Sequence, residues 1–440
     1  PETGAPPPQD VFNQPEFPQP VGPPLLSQTQ LDAMSKTELN ELAKTFEIAT
    51  PVKVKKDELV AQILEIQAQR SGLEVASGVL DVLPEGYGFL RRSGYLPGAD
   101  DIYISQSQIR RFELRRGDLV AGQVRKPKEN EKYYGIVKVE SINGYDPEAI
   151  RERRTFDELT PILPAKRYVL AGKAGGLIGR AIDLYAPLAK GTRGLIVAPP
   201  RSGKTRIVKA VAAALAANAP ETRVIVLLVD ERPEDVTELS HSIDAEVVAT
   251  SFDDHPDSHA AVAELALERA KRLVELGHDV VVLVDSMARL VRAYAGSGNG
   301  GRGFDPATLQ KPKRFFGAAR ACEEGGSLAI LATANTETGN RLDDAIVEEL
   351  RGLANMEIGL SRTLADARIF PAIDLRASSA RNEAELLSEI ELRKIALLRR
   401  ATARLGVLQA GEATIESLAK TKTNDDFVGG LTEKSVAALV

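Results

Sequence analysis

The stretch Ala198-Pro199-Pro200-Arg201-Ser202-Gly203-Lys204-Thr205 decides how this chain is read. It follows an apolar run, Gly194-Leu195-Ile196-Val197, and opens into a helix-like segment from Arg206 to Ala219. A buried strand, a tight loop ending Gly-Lys-Thr and a helix make a cradle for nucleotide phosphates. The backbone N–H groups of the loop and of the helix N-terminus point at the anion. Lys204 adds a mobile positive charge for the β- and γ-phosphates, and the Thr205 hydroxyl is placed to ligate Mg²⁺. The usual pattern opens on Gly where this chain has Ala198, so the loop is a Walker-A variant. A chance strand–turn–helix with a stray Gly-Lys-Thr is the competing reading. The flanking strand and helix, and the motifs downstream, weigh against it.

Two further apolar runs end in acids. Asp279 precedes Val280-Val281-Val282-Leu283-Val284, which delivers Asp285-Ser286. A buried strand carrying an Asp at its C-terminal end is a Walker-B element, and Asp285 is expected to hold Mg²⁺ through water. Val224 to Val229 ends at Asp230-Glu231-Arg232-Pro233-Glu234-Asp235. If that strand lies beside the Walker strands, Glu231 projects toward the γ-phosphate and can deprotonate the attacking water. The alternative is a solvated acidic turn. Two patterns are decoys. Gly296-Ser297-Gly298-Asn299-Gly300-Gly301 matches a dinucleotide fingerprint but follows a helix-like segment, so it reads as a loop. Asp253, Asp254, His255, Asp257 and His259 cluster, with a spacing that fits no standard metal site.

At 440 residues the chain has room for two or three domains. No run approaches the roughly 18 apolar residues of a membrane helix. The N-terminus is Pro-rich and does not read as a signal peptide; because it opens on Pro1, further sequence is expected to precede it. A single cysteine, Cys322, rules out an intrachain disulfide and suits a reducing cytoplasm. The net charge of −6 argues against a wholesale polyanion binder. Between Gly86 and Lys138, however, eleven Lys/Arg stand against six Asp/Glu, so any nucleic-acid site is local, and that segment is the candidate.

The chain divides by pattern. Residues 1–27 hold nine prolines and read as a disordered or polyproline-like tail. Residues 28–72 carry two helical stripes, Leu31, Met34, Leu39, Leu42 and Ala43, then Leu59, Ile63, Leu64 and Ile66. Lys53, Lys55 and Lys56 between them read equally as a solvated loop or a nucleic-acid contact. Residues 73–143 alternate five short strand runs with turn signals, which suggests a small β-barrel such as an OB fold. Residues 144–170, with three prolines, read as a linker, and 171–440 as a mostly parallel sheet covered by helices. In the barrel segment Tyr87 and Phe89 are two apart on a strand and share a face, with Tyr103, Arg91, Arg92, Arg110 and Arg111 near in sequence. That is either a stacking platform for single-stranded bases or part of the core. The flanking Gly86 and Gly88, which leave the surface uncrowded, favour the platform.

These blocks resemble the Rho family of bacterial transcription termination factors over about residues 28–430. Gly86-Tyr87-Gly88-Phe89-Leu90-Arg91, Asp101-Ile102-Tyr103 and Glu131-Lys132-Tyr133 are similar to the family's primary RNA site. Gly191-Thr192-Arg193-Gly194 through Gly203-Lys204-Thr205, and Asp230 to Glu234, are similar to its ATPase core. Lys313 to Arg320, Gly339 to Asp344 and Phe370 to Asp374 are similar to its later blocks. The resemblance implies an α/β RecA-like P-loop core preceded by a helical bundle and an OB-fold, cold-shock-like barrel. It implies a cytoplasmic bacterial homohexamer, not a membrane protein, that moves 5′→3′ on cytosine-rich single-stranded RNA using ATP and Mg²⁺. It also implies RNA polymerase and elongation factors as partners, the transcript being released from the polymerase.

Residue by residue, the resemblance makes Lys204, Glu231, Arg232, Asp285 and Arg381 catalytic, with Arg381 a finger reaching into the neighbouring subunit's site. It gives a nucleotide-binding set of Ala189, Lys190, Gly191, Thr192, Arg193, Gly194, Arg201, Ser202, Gly203, Thr205, Arg206, Arg232 and Phe370, the last stacking on adenine. Asn299, Gly300, Gly301, Arg302 and Gly303 would be one pore loop gripping RNA, with Arg341 on a second. Arg201 stands where the family often has Lys, and Arg206 where other members carry a smaller or apolar residue. The first pore loop is shorter and richer in Gly, with Arg302 its only basic residue. Two other readings are open to the sequence. One is a rotary-type or recombinase-like ATPase without an RNA face; the other is a nucleic-acid binder whose nucleotide site only switches conformation.

Overall fold

The computed structural model describes residues 31, 34–45, 56, 58–60, 62–63, 74–128, 131–295 and 306–437. The Pro-rich tail, Lys53, Lys55, Leu64, Ile66 and the glycine-rich stretch 296–303 lie outside these residues. At the N-terminal side, helix Lys36–Thr45 buries Leu39 and Ala43 with Leu31 against Leu59, Val60 and Ile63.

Five strands then close into a barrel: β1 Glu74–Val82, β2 Gly88–Arg91, β3 Ile102–Ile104, β4 Leu119–Arg125 and β5 Tyr134–Ile142. Their order is β1-β2-β3-β5-β4, antiparallel except for the β3–β5 pair that completes the ring. Period-two alternation selects the interior: Leu80, Leu90, Ile102, Ile104 and Val120 are fully buried. The expected barrel is the one found, with β1 and β5 longer than their apolar runs.

The second unit is a nine-stranded sheet among the described residues, built from β6 Pro161–Ile162, β7 Arg193–Ala198, β8 Arg223–Glu231, β9 Glu246–Ser251, β10 Asp279–Asp285, β11 Arg320–Cys322, β12 Ser327–Asn335, β13 Met356–Leu360 and β14 Ile373–Ala380. The main path runs β14-β13-β7-β12-β10-β8-β9, parallel from β13 to β9. Both faces are covered, so these strands read as continuous apolar runs. Val280, Val282 and Val284 face helices Pro256–Glu275, Met287–Ala295 and Arg341–Arg351. Val281 and Leu283 face helices Gly176–Tyr185, Lys204–Asn218 and Glu389–Thr402. No helix among the described residues is long and apolar enough to cross a membrane.

Residues 144–170 are more than a linker. Phe156, Leu159, Tyr168 and Leu170 are buried, and β6 pairs with β11 at the sheet's margin. Of the three prolines that suggested a connector, Pro161 sits in this edge strand, where a missing N–H costs no ladder bond.

Buried ions fix the barrel to the sheet unit. Arg153 reaches Asp118 at 2.6 Å and Glu275 at 3.3 Å, and both carboxylates are wholly buried. Gly117, at φ +92°, lies against the helix Pro256–Glu275: a Cβ there would stand 2.5 Å from the Arg269 nitrogen. Gly117→Ala is therefore expected to destabilise this seam by about 1–3 kcal/mol through overpacking against immovable backbone. A melting curve and limited proteolysis of the full chain check it. A melt identical to the parent's would rule out this close approach.

Candidate functional site

The phosphate loop begins where β7 ends. Ala198 is wholly buried and still in extended strand, and its carbonyl accepts the Thr336 N–H at 3.1 Å. The chain turns later, with Arg201 at φ 64° and Gly203 at φ 97°, so a Cβ at position 198 meets no conformational obstacle. The Ser202 hydroxyl donates to the Pro199 carbonyl at 2.7 Å and ties the loop together. No side chain caps the helix starting at Lys204, which leaves its first N–H groups for an anion.

β10 delivers Asp285 to the same edge, one strand away from β7 across β12. Its carboxylate is buried and receives Lys204 Nζ at 2.9 Å, the Thr205 hydroxyl at 3.4 Å and the Thr333 hydroxyl at 2.8 Å. Thr205 and Asp285 offer hard oxygen ligands to a small divalent cation. Beside them the buried Ser286 Oγ has no hydrogen-bond partner among the described residues. An orphaned hydroxyl, a hydroxyl and a carboxylate at the foot of an anion cradle fit a metal–triphosphate.

Glu231 ends β8, the next strand, and is half-buried rather than a solvated turn. It pairs with Arg289, which also donates to the Val229 carbonyl at 3.3 Å. Burial pushes the Glu231 carboxyl above the ordinary glutamate value, while the Arg289 charge opposes the rise. Arg232 follows it, exposed, at the N-cap of helix Pro233–Ser242, and Arg201 is likewise exposed. Arg206 lies on the first turn of the phosphate-loop helix with its guanidinium 5.3 Å from the Phe370 ring centre, so the departure at 206 and the adenine candidate form one stacked pair.

Two groups of candidates sit elsewhere. Ala189–Gly194 precede and open β7, about 17 Å along the strand from the phosphate loop. Lys190 pairs with Asp279 at 2.5 Å, and the Thr192 hydroxyl accepts the Ala189 N–H at 2.9 Å. Gly191, at φ +87°, packs against the backbone of Ala321. Within one chain these residues do not line the phosphate loop; closeness in sequence misleads because a whole strand intervenes. Arg381 shares their edge. Its N–H donates to the Asn355 carbonyl, and the preceding Ala380 pairs with Met356, itself opposite Gly194. Arg193 stands close by: burial, with the Arg381 and Arg320 charges, pushes its guanidinium below its ordinary value.

On the barrel, Leu90 points in and Phe89 out. Phe89 pairs with Tyr103 in register, and their rings are 6.1 Å apart. Tyr87 lies 6.0 Å from Phe89, and Tyr133 lies 4.8 Å from it. Four aromatic rings thus share an outer face, none in the barrel core, which removes the core alternative. Ile102 is core; Leu90 is core as well, supporting the face from below. Arg91 covers Phe89 at 5.5 Å, held by Asp101 at 2.5 Å and Asp81 at 2.7 Å. Arg125 grips Glu131, and this hydrogen bond holds the Glu131 carboxyl below its usual range; Lys132 sits 5.2 Å from the Tyr133 ring. The glycines have a different reason from the one expected. A Cβ on Gly88 would meet the Asp81 carbonyl at 2.8 Å, and Gly86 has φ +91°. They allow close backbone approach rather than an uncrowded surface.

Arg341 is the exposed first residue of helix Arg341–Arg351. That helix is tied to Met287–Ala295, which follows Asp285, by Arg292–Asp343 at 2.6 Å. Asn299, Gly300, Gly301, Arg302 and Gly303 fall outside the described residues. His255 caps helix Pro256–Glu275, and no group of three metal-ligating side chains forms there or elsewhere among the described residues. Sequence reading missed Arg289, Thr333, Asp81 and Arg116. Asp81 becomes visible only once β1 is paired with β2, where it lies opposite Phe89.

Three family profiles match the chain: "Rho termination factor, N-terminal domain" over residues 30–72, "Rho termination factor, RNA-binding domain" over 76–148, and "ATP synthase alpha/beta family, nucleotide-binding domain" over 179–380. The chain is 48% identical to the transcription termination factor Rho of Bacillus subtilis (strain 168), over 91% of this chain and 95% of that one. It is 47% identical to the factor of the same name from Thermotoga maritima, over 92% and 96%. Among solved structures, a prototypical ATPase from a type III secretion system of pathogenic bacteria superposes with a TM-score of 0.52 at 21% identity, over 64% of this chain and 88% of that one, which bears on the fold.

Proposed function

The chain belongs to the Rho family of transcription termination factors, an RNA-dependent ATP hydrolase, and from that premise we propose how its residues divide the work. The four-ring face of the barrel takes single-stranded, cytosine-rich RNA. Tyr87 and Phe89 stack bases, and Arg91, Asp101, Glu131 and Tyr133 shape the pocket edge. Gly203, Lys204, Thr205 and the helix N-terminus hold the triphosphate, Phe370 with Arg206 holds the base, and Glu231 takes the proton of the attacking water. Mg²⁺, when bound by Thr205 and Asp285, neutralises phosphate charge. Arg381, with Arg193 beside it, serves the site of an adjacent copy in a homohexamer. The protein works in the bacterial cytoplasm, moves 5′→3′ and releases the transcript from RNA polymerase.

The observation that carries this reading is the aromatic face: a nucleotide-driven rotor has no use for four rings gathered outside a barrel core. Steady-state ATP hydrolysis is expected to be strongly stimulated by poly(C) RNA and little by single-stranded DNA of equal length. In Phe89→Ala, half-maximal stimulation should need about 5–150 times more poly(C), the equivalent of one lost stacking contact of ~1–3 kcal/mol. Equal stimulation by DNA, or an unshifted curve for the variant, would refute the assignment of the face.

A further inference from the structure

A cleft of about 590 Å³ opens between the segment carrying Phe156, the helix Pro256–Glu275 and the helix Gln310–Gly317. Four cations line it, Lys271, Lys311, Arg314 and Arg320, against two carboxylates, Glu264 and Asp157. The cations are held in position. Arg320 lies 4.6 Å over the buried Phe156 ring, Lys271 is 2.6 Å from Glu268, and Lys311 lies 5.4 Å over Tyr294 and 3.6 Å from Glu264. Arg314 is exposed and makes no ion pair among the described residues. An aromatic ring beside a row of fixed cations suits a single strand, whose phosphates and bases alternate.

Its place in the fold identifies what would cross it. Tyr294 sits near the end of the helix that starts beyond Asp285, and Lys311 sits on the helix Gln310–Gly317. On the other side Arg116 reaches Glu264 at 3.7 Å and Asp81 at 3.0 Å, and Asp81 is the β1 residue opposite Phe89. The cleft therefore adjoins the barrel at one end and the Asp285 helix at the other. We propose that this cleft is a third contact for the RNA. It takes the phosphates of the segment running from the aromatic face toward the ATPase unit. The inference rests on the RNA-binding reading above.

The test uses the unaltered full chain and an RNA with a 5′ cytosine-rich segment, a spacer carrying 4-thiouridine, and a 3′ uridine-rich segment. Photocrosslinks from the spacer are expected in peptides containing Tyr294, Lys311 or Arg314. If cytosine-segment crosslinks map to Tyr87–Tyr103 but spacer crosslinks miss the cleft, the third contact is wrong and the barrel reading survives. If neither region crosslinks, both fall. In a second arm, Lys311→Ala/Arg314→Ala should flatten the slope of log affinity against log salt for this RNA by about 1.4, two phosphates at ~0.7 each. The same variant should bind a short cytosine oligomer as the parent does, and Lys311→Arg/Arg314→Lys should restore the slope. An unchanged slope for the long RNA overturns the proposal, as would a protein partner or a neighbouring subunit filling the cleft.

Discussion

Glu231→Gln is expected to bind ATP and RNA as the parent does and to hydrolyse about 10²–10⁴ times more slowly, the range for loss of a positioned general base. The substitution keeps shape and hydrogen-bonding atoms while removing the negative charge that accepts a proton. The readout is single-turnover hydrolysis with saturating RNA, because translocation or product release can mask a chemical step in steady state. The pH profile carries a second expectation. Burial raises the Glu231 carboxyl, so the base is lost at a higher pH than an ordinary glutamate would lose it. The rate should fall as pH drops through that raised value, with full activity above it. The Arg289 charge favours the ionised carboxylate, so Arg289→Ala should move this acid limb to higher pH. Full turnover in Glu231→Gln would leave Glu231 as a structural partner of Arg289 and send the search for a base elsewhere.

What the sequence disclosed follows from what each element buries. β7, β8, β10 and β12 are covered on both faces and appear as unbroken apolar runs, so the sheet was legible with its phosphate loop and its two acids. β9, β13 and β14 were not read. β9 is an edge strand, Glu-Val-Val-Ala-Thr-Ser, and β14, Ile-Asp-Leu-Arg-Ala-Ser-Ser-Ala, mixes polar and apolar residues with a register shift in its pairing. The barrel face was legible as a two-residue spacing, but its choice between core and surface needed the position of Leu90. Contacts made across strands carry no local signal at all. Arg289 meets Glu231 from 58 positions away, and Thr333 meets Asp285 from 48. The misplacement of Ala189–Gly194 has the same origin: adjacency along a strand is not adjacency at its end.

Arg381→Ala should fold, assemble and bind ATP, yet lose about 10³–10⁵ in hydrolysis, the usual worth of an arginine finger. The geometry makes this more than a motif match. Arg381 emerges at the edge where β7 begins, with Arg193 beside it, while Lys204 and Asp285 stand where β7 and β10 end. A side chain cannot bridge the length of the strand, so Arg381 can assist only a site on another copy. The consequence is complementation. Lys204→Ala lacks the phosphate contact of its own loop but presents an intact Arg381; Arg381→Ala has the reverse defect. Each variant alone should be inactive. Rings formed from a mixture should regain activity wherever an intact loop faces an intact arginine, with a maximum near equal proportions. Activity in Arg381→Ala alone, or mixtures no better than their components, would mean that Arg381 contributes nothing across a subunit boundary. Its exposure at the cationic edge would then answer to the packing of the ring rather than to chemistry.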